Sequence, residues 1–288
     1  MEHIREQIWT IKRVLDWTTE DFSNRQISSA RLEAELLLSH LLGVERLYLY
    51  THFDRPLNAN ELTRFRELVG RRRRGECNAY IIGVKEFWSL EFEVTPSVLV
   101  PRPDTETLVQ AAIEVCHDGM KVLDLCTGTG CIAVAMAMEC TGVSVDATDI
   151  SADALDVARR NVARHGLTDR VTLHEGDLFD PLPEDNRYDV IVSNPPYVRQ
   201  SELSQLSAEV QHEPHIALLG GGDDGLDITR RLLTRIPEYA NPGAAVFIEL
   251  DDAQTIHVVN ELGPKILGTQ GRAIADLAGK NRVAAFQL

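Results

Sequence analysis

The amino-acid sequence predicts an α/β protein built on a parallel sheet, preceded by a small helical domain and a linking β-hairpin. Three observations carry that expectation. After residue 120, short apolar runs alternate with helical patterns, which is the signature of βαβ units. Before residue 75, apolar residues recur only at three- and four-residue spacing. Between these regions lies an alternating stretch rich in aromatics.

In chain order, Ile4, Ile8, Ile11 and Leu15 share helical spacing, as do Leu32, Leu36, Leu37 and Leu41. Ser28 and Ser29 offer N-caps to the second helix, and Gly43 a stop. "LNANELTRFRELVGRRRRG" predicts a further helix starting near Asn58 or Asn60. It ends in Arg71 to Arg74, where cations suit the helix macrodipole. That run reads as a solvated helix end or, alternatively, as a docking patch for an acidic partner. "YIIGVKEFWSLEFEVTP" alternates as a hairpin does. "LVPRPDTETLVQAAIEV" is a loop with two prolines, then a helix capped by Asp104 or Thr105. "KVLDLC", "VSVDATD", "VTLHEGD", "YDVIVSN" and "AAVFIEL" predict five strands, the last following the turn "NPG". "CIAVAMAMEC" and "SADALDVARRNVARHG" predict helices between them, the second capped by Ser151. "GGGDDG", from Gly220 to Gly225, has the composition of the most flexible loop. The expected boundaries are 1–75 for the helical domain, 76–100 for the hairpin and 101–288 for the α/β domain.

The composition, 44% hydrophobic and 25% charged over 288 residues, supports a full core without staples. A net charge of -15 argues against a broad face for duplex nucleic acid. The cysteines (Cys77, Cys116, Cys126, Cys131, Cys140) contain no CxxC pair, which argues against a disulfide framework and against zinc. The charged amino-terminal stretch does not read as a signal peptide, and no apolar run is long enough for a membrane span. A reduced, cytoplasmic protein without a metal is expected.

"DLCTGTGCIA" is a strand, glycine loop and helix in sequence. Glycines let backbone approach a ligand, and a helix start offers free N–H donors. Gly128, Gly130 and Ala133 fit the G-x-G-x-x-A fingerprint of dinucleotide-binding proteins, with Asp149 placed for a ribose. A nicotinamide oxidoreductase is therefore one reading. Asp124 directly before the loop and Asp177 after the third strand oppose it, because acids at three successive strand ends would repel a pyrophosphate. They suit a cationic nucleoside, S-adenosylmethionine: Asp124 for its amino group, Asp149 for the ribose hydroxyls, Asp177 for the adenine amine.

"VSNPPYV" ends the fourth strand in the same crevice, since proline removes a ladder donor and stiffens the exit. An amide or aromatic amine is a poor nucleophile and must be held with its lone pair toward the methyl carbon. The Asn194 side-chain oxygen and the Pro195 carbonyl can accept both hydrogens of such an –NH₂ group, fixed in advance by Pro195 and Pro196. Tyr197 can stack on the flat group.

With these residues in view, the chain resembles the class I methyltransferases with an NPPY motif, and among them the PrmC/HemK protein-glutamine N5-methyltransferases. "YIIGVKEFWSLEFEV", "VLVPRPDTETLV", "EPHIALLGGGDDGL" and "IADLAGKNRV" are similar to that family's signatures across nearly the whole chain. The resemblance implies a mostly parallel seven-stranded Rossmann-like sheet. It also implies methyl transfer from S-adenosylmethionine to the glutamine of the GGQ motif in class 1 release factors, with the helical domain helping to hold that partner. It assigns Cys126, Thr127, Gly128, Thr129 and Gly130 to the donor loop, Asp177 with Leu178 to the adenine side, and Asn194, Pro195, Pro196 and Tyr197 to the substrate. Cys126 and Asp251 stand where the family has glycines. The alternatives are an N-methyltransferase acting on an exocyclic amine of DNA or RNA, and a non-catalytic release-factor adaptor.

Overall fold

The computed structural model describes residues 8–288, so the expectation for Ile4 lies outside the described residues. The chain forms two compact units that part between Gly83 and Val84.

The first unit contains α1 (Ile11–Asn24), α2 (Ala30–Leu42), α3 (Arg46–Thr51), α4 (Ala59–Arg73) and α5 (Asn78–Ile82). Its core gathers Ile11, Leu15, Phe22, Leu37, Leu38, Phe65 and Val69. The buried face of α2 is Ala34, Leu37 and Leu38, and Leu32 is exposed. At 100° per residue Leu32 points away from that face, so the expected leucine stripe is rotated. Ile8 precedes α1 and is exposed, because Thr10 caps the helix and starts it at Ile11. Asn58 caps α4 in a reciprocal box with Glu61, as expected. Ser29 occupies the N-cap position of α2 but makes no side-chain capping bond.

In the arginine run Arg73 and Arg74 are exposed, as a solvated helix end requires, and Arg72 is not. Arg72 is buried and donates to Glu33 at 2.6 Å. Arg71 pairs with Glu76, and Arg73 forks onto Asp21 at 2.7 and 2.8 Å. Three of the four cations are thus bound inside their own unit.

The second unit opens with β1 (Val84–Phe87) and β2 (Leu90–Glu93), an antiparallel hairpin. Trp88 and Ser89 both take left-handed φ, 53° and 56°, which a two-residue hairpin turn of matching twist needs. There follow α6 (Glu106–Ile113), β3 (Lys121–Leu125), α7 (Cys131–Glu139), β4 (Ser144–Asp149), α8 (Ala152–Arg164), β5 (Val171–Glu175) and β6 (Tyr188–Ser193). The chain ends with α9 (Asp227–Tyr239), β7 (Ala240–Glu249), α10 (Asp252–His257), α11 (Gly263–Leu267), β8 (Arg272–Ala275) and β9 (Asn281–Gln287). The seven sheet strands run in the order β5-β4-β3-β6-β7-β9-β8. β5, β4, β3, β6 and β7 pair in parallel, and β9 is antiparallel to both its neighbours.

Alternation along the buried strands divides the core into two layers. Val122, Val190, Val192 and Phe247 face one side with α6 and α7, while Leu123, Leu125, Ile191 and Ile248 face the other with α9. The "NPG" turn lies inside β7, not before it. Pairing jumps from Tyr188–Ala240 to Val190–Ala245, so the segment bulges out of the ladder. Thr105 ends a short 3₁₀ turn before α6 and makes no capping bond there.

Arg72→Ala removes one partner of a buried ion pair and should lower stability by about 3 kcal/mol, whereas Arg74→Ala, at an exposed position, should change it by less than ~0.5 kcal/mol. Urea unfolding followed by fluorescence measures both, and equal midpoints for the two variants would contradict the assignment.

Candidate active site

The strand order reverses between β3 and β6, and the crevice at such a reversal is where open α/β sheets bind ligands. A cleft of about 200 Å³ opens there, with Gly128, Asp149, Asp177, Leu178, Asn194 and Pro196 in its wall. A smaller cavity adjoins it, lined by Thr127, Thr129, Arg102 and Thr105, and Asn194 contributes to both walls.

The glycine loop is shaped from below by Asp124. This residue is fully buried, and its Oδ2 accepts from the Thr127 hydroxyl at 2.5 Å and the Ala133 N–H at 3.2 Å. It stands beneath the loop, and neither cavity wall includes it. Even-numbered positions of β3 face α7, so the side chain points into the helix start. Gly128 is left-handed (φ 54°), and no atom lies within 4 Å of where its Cβ would stand, so bare backbone faces the cleft. Gly130 (φ 78°) starts α7, and a Cβ there would meet Ala158 at 3.3 Å. Cys126 also takes left-handed φ, 62°, where glycine would be unstrained. Burial first, then the Asp149 and Asp124 carboxylates, push its thiol up, so it stays protonated and inert.

Asp149 ends β4. Its oxygens accept from the Gly128 N–H at 2.8 Å and the Ser151 N–H at 2.9 Å, which leaves further lone pairs for hydroxyl donors. Burial raises its pKa above the ordinary carboxylate value, and those backbone bonds oppose the rise. Asp177 is bonded to Arg231 at 2.5 Å, a cation that the sequence reading did not single out. Leu178 is buried with φ 50°, a second strained position beside the cleft. Ile150, exposed next to Asp149, adds an apolar wall that was likewise missed.

At the elbow, Asn194 donates through Nδ2 to the Thr105 hydroxyl at 3.3 Å, while its Oδ1 is buried without a partner among the described residues. The Pro195 carbonyl likewise receives no hydrogen bond from them. Tyr197 lies outside the wall of the large cleft and packs against the second core layer. Burial pushes its phenol up to about 12.

The rigidity of the elbow has a source that sequence reading passed over. Gln254 is buried and donates to the Tyr197 carbonyl at 2.9 Å and the Asp224 carbonyl at 2.8 Å. Asp251 is the N-cap of α10, accepting from the Gln254 N–H at 2.8 Å with φ -72°. No glycine is needed at that position. The "GGGDDG" segment, expected to be flexible, is wedged against the elbow. A Cβ on Gly225 would stand 2.3 Å from the Tyr197 carbonyl, and one on Gly220 2.8 Å from that of Pro196. Arg102 and the buried Glu213 join at 2.5 Å, tying "VPRPDTE" to "EPHIALL".

Comparison with known proteins bears on this architecture. Residues 13–83 match the PrmC N-terminal domain and residues 103–223 the methyltransferase small domain. A release factor glutamine methyltransferase of Geobacter sulfurreducens is 47% identical over 87% of each chain. Another, from Rhodopirellula baltica, is 43% identical over 97% of this chain and 96% of its own. The chain belongs to the release factor glutamine methyltransferase family. A methyltransferase structure from Pyrococcus furiosus matches 70% of this chain and 91% of its own at 25% identity and a TM-score of 0.54.

The fold is accordingly that of the class I methyltransferases, and S-adenosylmethionine is the methyl donor. The cleft fits such a donor in its own terms: open backbone at Gly128, carboxylates at Asp149 and Asp177, and apolar walls at Ile150 and Leu178. Among the described residues, no group of three His, Cys, Asp or Glu side chains could hold a metal. No described helix is long and apolar enough to cross a membrane.

Burial raises the Asp124 carboxyl to about 7. A raised folded value favours the protonated native state, so this contribution is full below pH 3.8, the ordinary value, and lost as pH rises toward about 7. Asp124→Asn should therefore be more stable relative to the parent at pH 8 than at pH 4. Thermal melts at both pH values measure the difference, and a pH-independent gap would refute the burial argument.

Proposed function

We propose that this methyltransferase modifies the side-chain amide nitrogen of a glutamine in class 1 release factors, the glutamine of their GGQ motif. The observation that carries this reading is the buried, unpartnered Oδ1 of Asn194 at the junction of the two cavities, next to the Pro195 carbonyl. A buried acceptor without a donor is costly, so a site that keeps one is prepared for a donor that arrives with the substrate. A primary amide brings two N–H donors on one nitrogen, which matches two neighbouring acceptors.

In this reading Asp149 accepts from the donor's ribose hydroxyls. Asp177 faces the adenine amine and is held by Arg231, and the Gly128 backbone lies against the donor's chain. S-adenosylmethionine supplies a methyl group on a cationic sulfur. The Asn194 and Pro195 oxygens orient the amide nitrogen and stabilise the positive charge that grows on it as the new bond forms. Because Asp251 and Gln254 anchor the elbow through the Tyr197 carbonyl, these acceptors are fixed before the substrate binds.

The helical unit has no residue in this machinery, and we assign it to release-factor docking. One glutamine among many in a protein must be selected by contacts remote from the amide, and remote binding can also position it. At the end of α4, Arg73, paired with Asp21, and Arg74 are the exposed arginines.

Incubation of the enzyme with labelled S-adenosylmethionine and a purified release factor, followed by mass spectrometry, tests the activity directly. The modified peptide should gain one methyl on the glutamine amide. Asn194→Ala should slow single-turnover transfer about 10²–10³-fold with the donor still bound. Asp149→Ala should show the converse, donor affinity weakened by roughly 1.5–3 kcal/mol in calorimetry. If Asn194→Ala transfers methyl at the parent rate, the two-acceptor arrangement is wrong. Finally, a short GGQ peptide should be methylated at least ~10²-fold less efficiently than the intact factor, a gap that corresponds to about 2.7 kcal/mol of remote binding. Equal efficiency would remove the docking role.

A further inference from the structure

Thr105 stands at the usual capping position of α6 yet leaves the helix start alone. Its side chain is buried, and its hydroxyl instead accepts from Asn194 Nδ2 at 3.3 Å. Glu249, at the end of β7 and also buried, is close enough for the Thr105 hydroxyl to act on its carboxyl. Burial pushes the Glu249 carboxyl up to about 7, and the Thr105 hydroxyl acts against that rise, as a donor to the carboxylate does. Arg282, Arg102 and Asp104 are the other charged groups around this carboxyl.

A hydroxyl has one proton and two lone pairs. If its proton is turned to Glu249, it can meet Asn194 only as an acceptor. It then selects the amide's –NH₂ end, and the carbonyl end must point the other way. An asparagine amide can rotate by half a turn and exchange its ends with little change in shape. Such a rotation would aim two donors at the substrate and abolish the acceptor that methyl transfer needs.

We propose that Thr105 is a positioning residue for the reaction: its hydroxyl, set between Asn194 and Glu249, locks the Asn194 amide with Oδ1 facing the substrate. This rests on the reading of Asn194 as an acceptor for the glutamine amide. Thr105 makes no contact with the reacting atoms and acts through Asn194.

Thr105→Val keeps the shape and deletes the hydroxyl, Thr105→Ala deletes it without adding a methyl, and Thr105→Ser restores it. Each is assayed for kcat and KM with a release factor, and for donor binding by calorimetry. Val and Ala should lower kcat about 10–100-fold with both KM values within about twofold, and Ser should recover kcat to within a few-fold. The Val substitution should have no further effect on single-turnover rate in an Asn194→Ala background, because the side chain it orients is gone. Parent-like kcat in a folded Val or Ala variant overturns the proposal. So does a serine variant as slow as valine, or an undiminished valine effect without Asn194. Absence of methylation by the parent enzyme would instead reject the underlying function.

Discussion

The site depends on one constraint, the parallel pairing of β3 with β6 at the point where strand order reverses. Leu125 is in register with Ser193, and the Ser193 hydroxyl donates to the Leu125 carbonyl at 2.8 Å. The next residues, Cys126 and Asn194, therefore leave the sheet side by side. One chain turns into the glycine loop and the other into the proline elbow. The spacing of the glycine loop from the proline elbow follows from that register. A slip by one residue would send each side chain of β6 to the opposite core layer, so the two layers hold the site in place as much as they hold the fold.

Around this junction, buried polar groups act as fasteners for backbone that lies outside regular structure. Asp124 holds the loop from below, and Gln254 holds the elbow and the "GGGDDG" segment from one side. Asn161 of α8 bonds the Thr129 carbonyl at 2.9 Å and also the Glu93 carbonyl and N–H, so it fixes the hairpin and the loop together. The hairpin therefore serves the catalytic unit as a brace. Cys126 and Leu178 hold left-handed backbone beside the cleft, a cost that the surrounding packing absorbs. Asn194 Oδ1, like Asp124 Oδ1 and Gln254 Oε1, is buried without a partner among the described residues.

Two departures from the family pattern prove to be of different kinds. Asp251 has ordinary extended backbone and gains a role as a helix cap, about 1 kcal/mol in such positions. Cys126 holds a left-handed conformation, in which glycine would be unstrained, and carries the strain of a Cβ there. Its neutral, half-buried thiol gives it no chemistry to offer in exchange.

The sequence by itself determined the five parallel strands β3 to β7, the helices α2, α4, α6, α7 and α8, the cleft acids Asp149 and Asp177, and the NPPY elbow, because these are written in local signals: periodicity, cap residues, glycine and proline. The Ser151 and Asn58 caps were legible for the same reason. Tertiary structure decided what depends on partners far along the chain. Arg72 is buried because Glu33, 39 residues away, meets it, and nothing local distinguishes it from Arg74. Asp124 lies under the loop instead of in the cleft because strand alternation turns it toward α7. Thr105 looked like a cap and became the neighbour of Asn194, 89 residues away, and Gln254 reaches an elbow 57 residues upstream. A side chain's local propensity says what it can bond, but the register of distant strands determines what it meets.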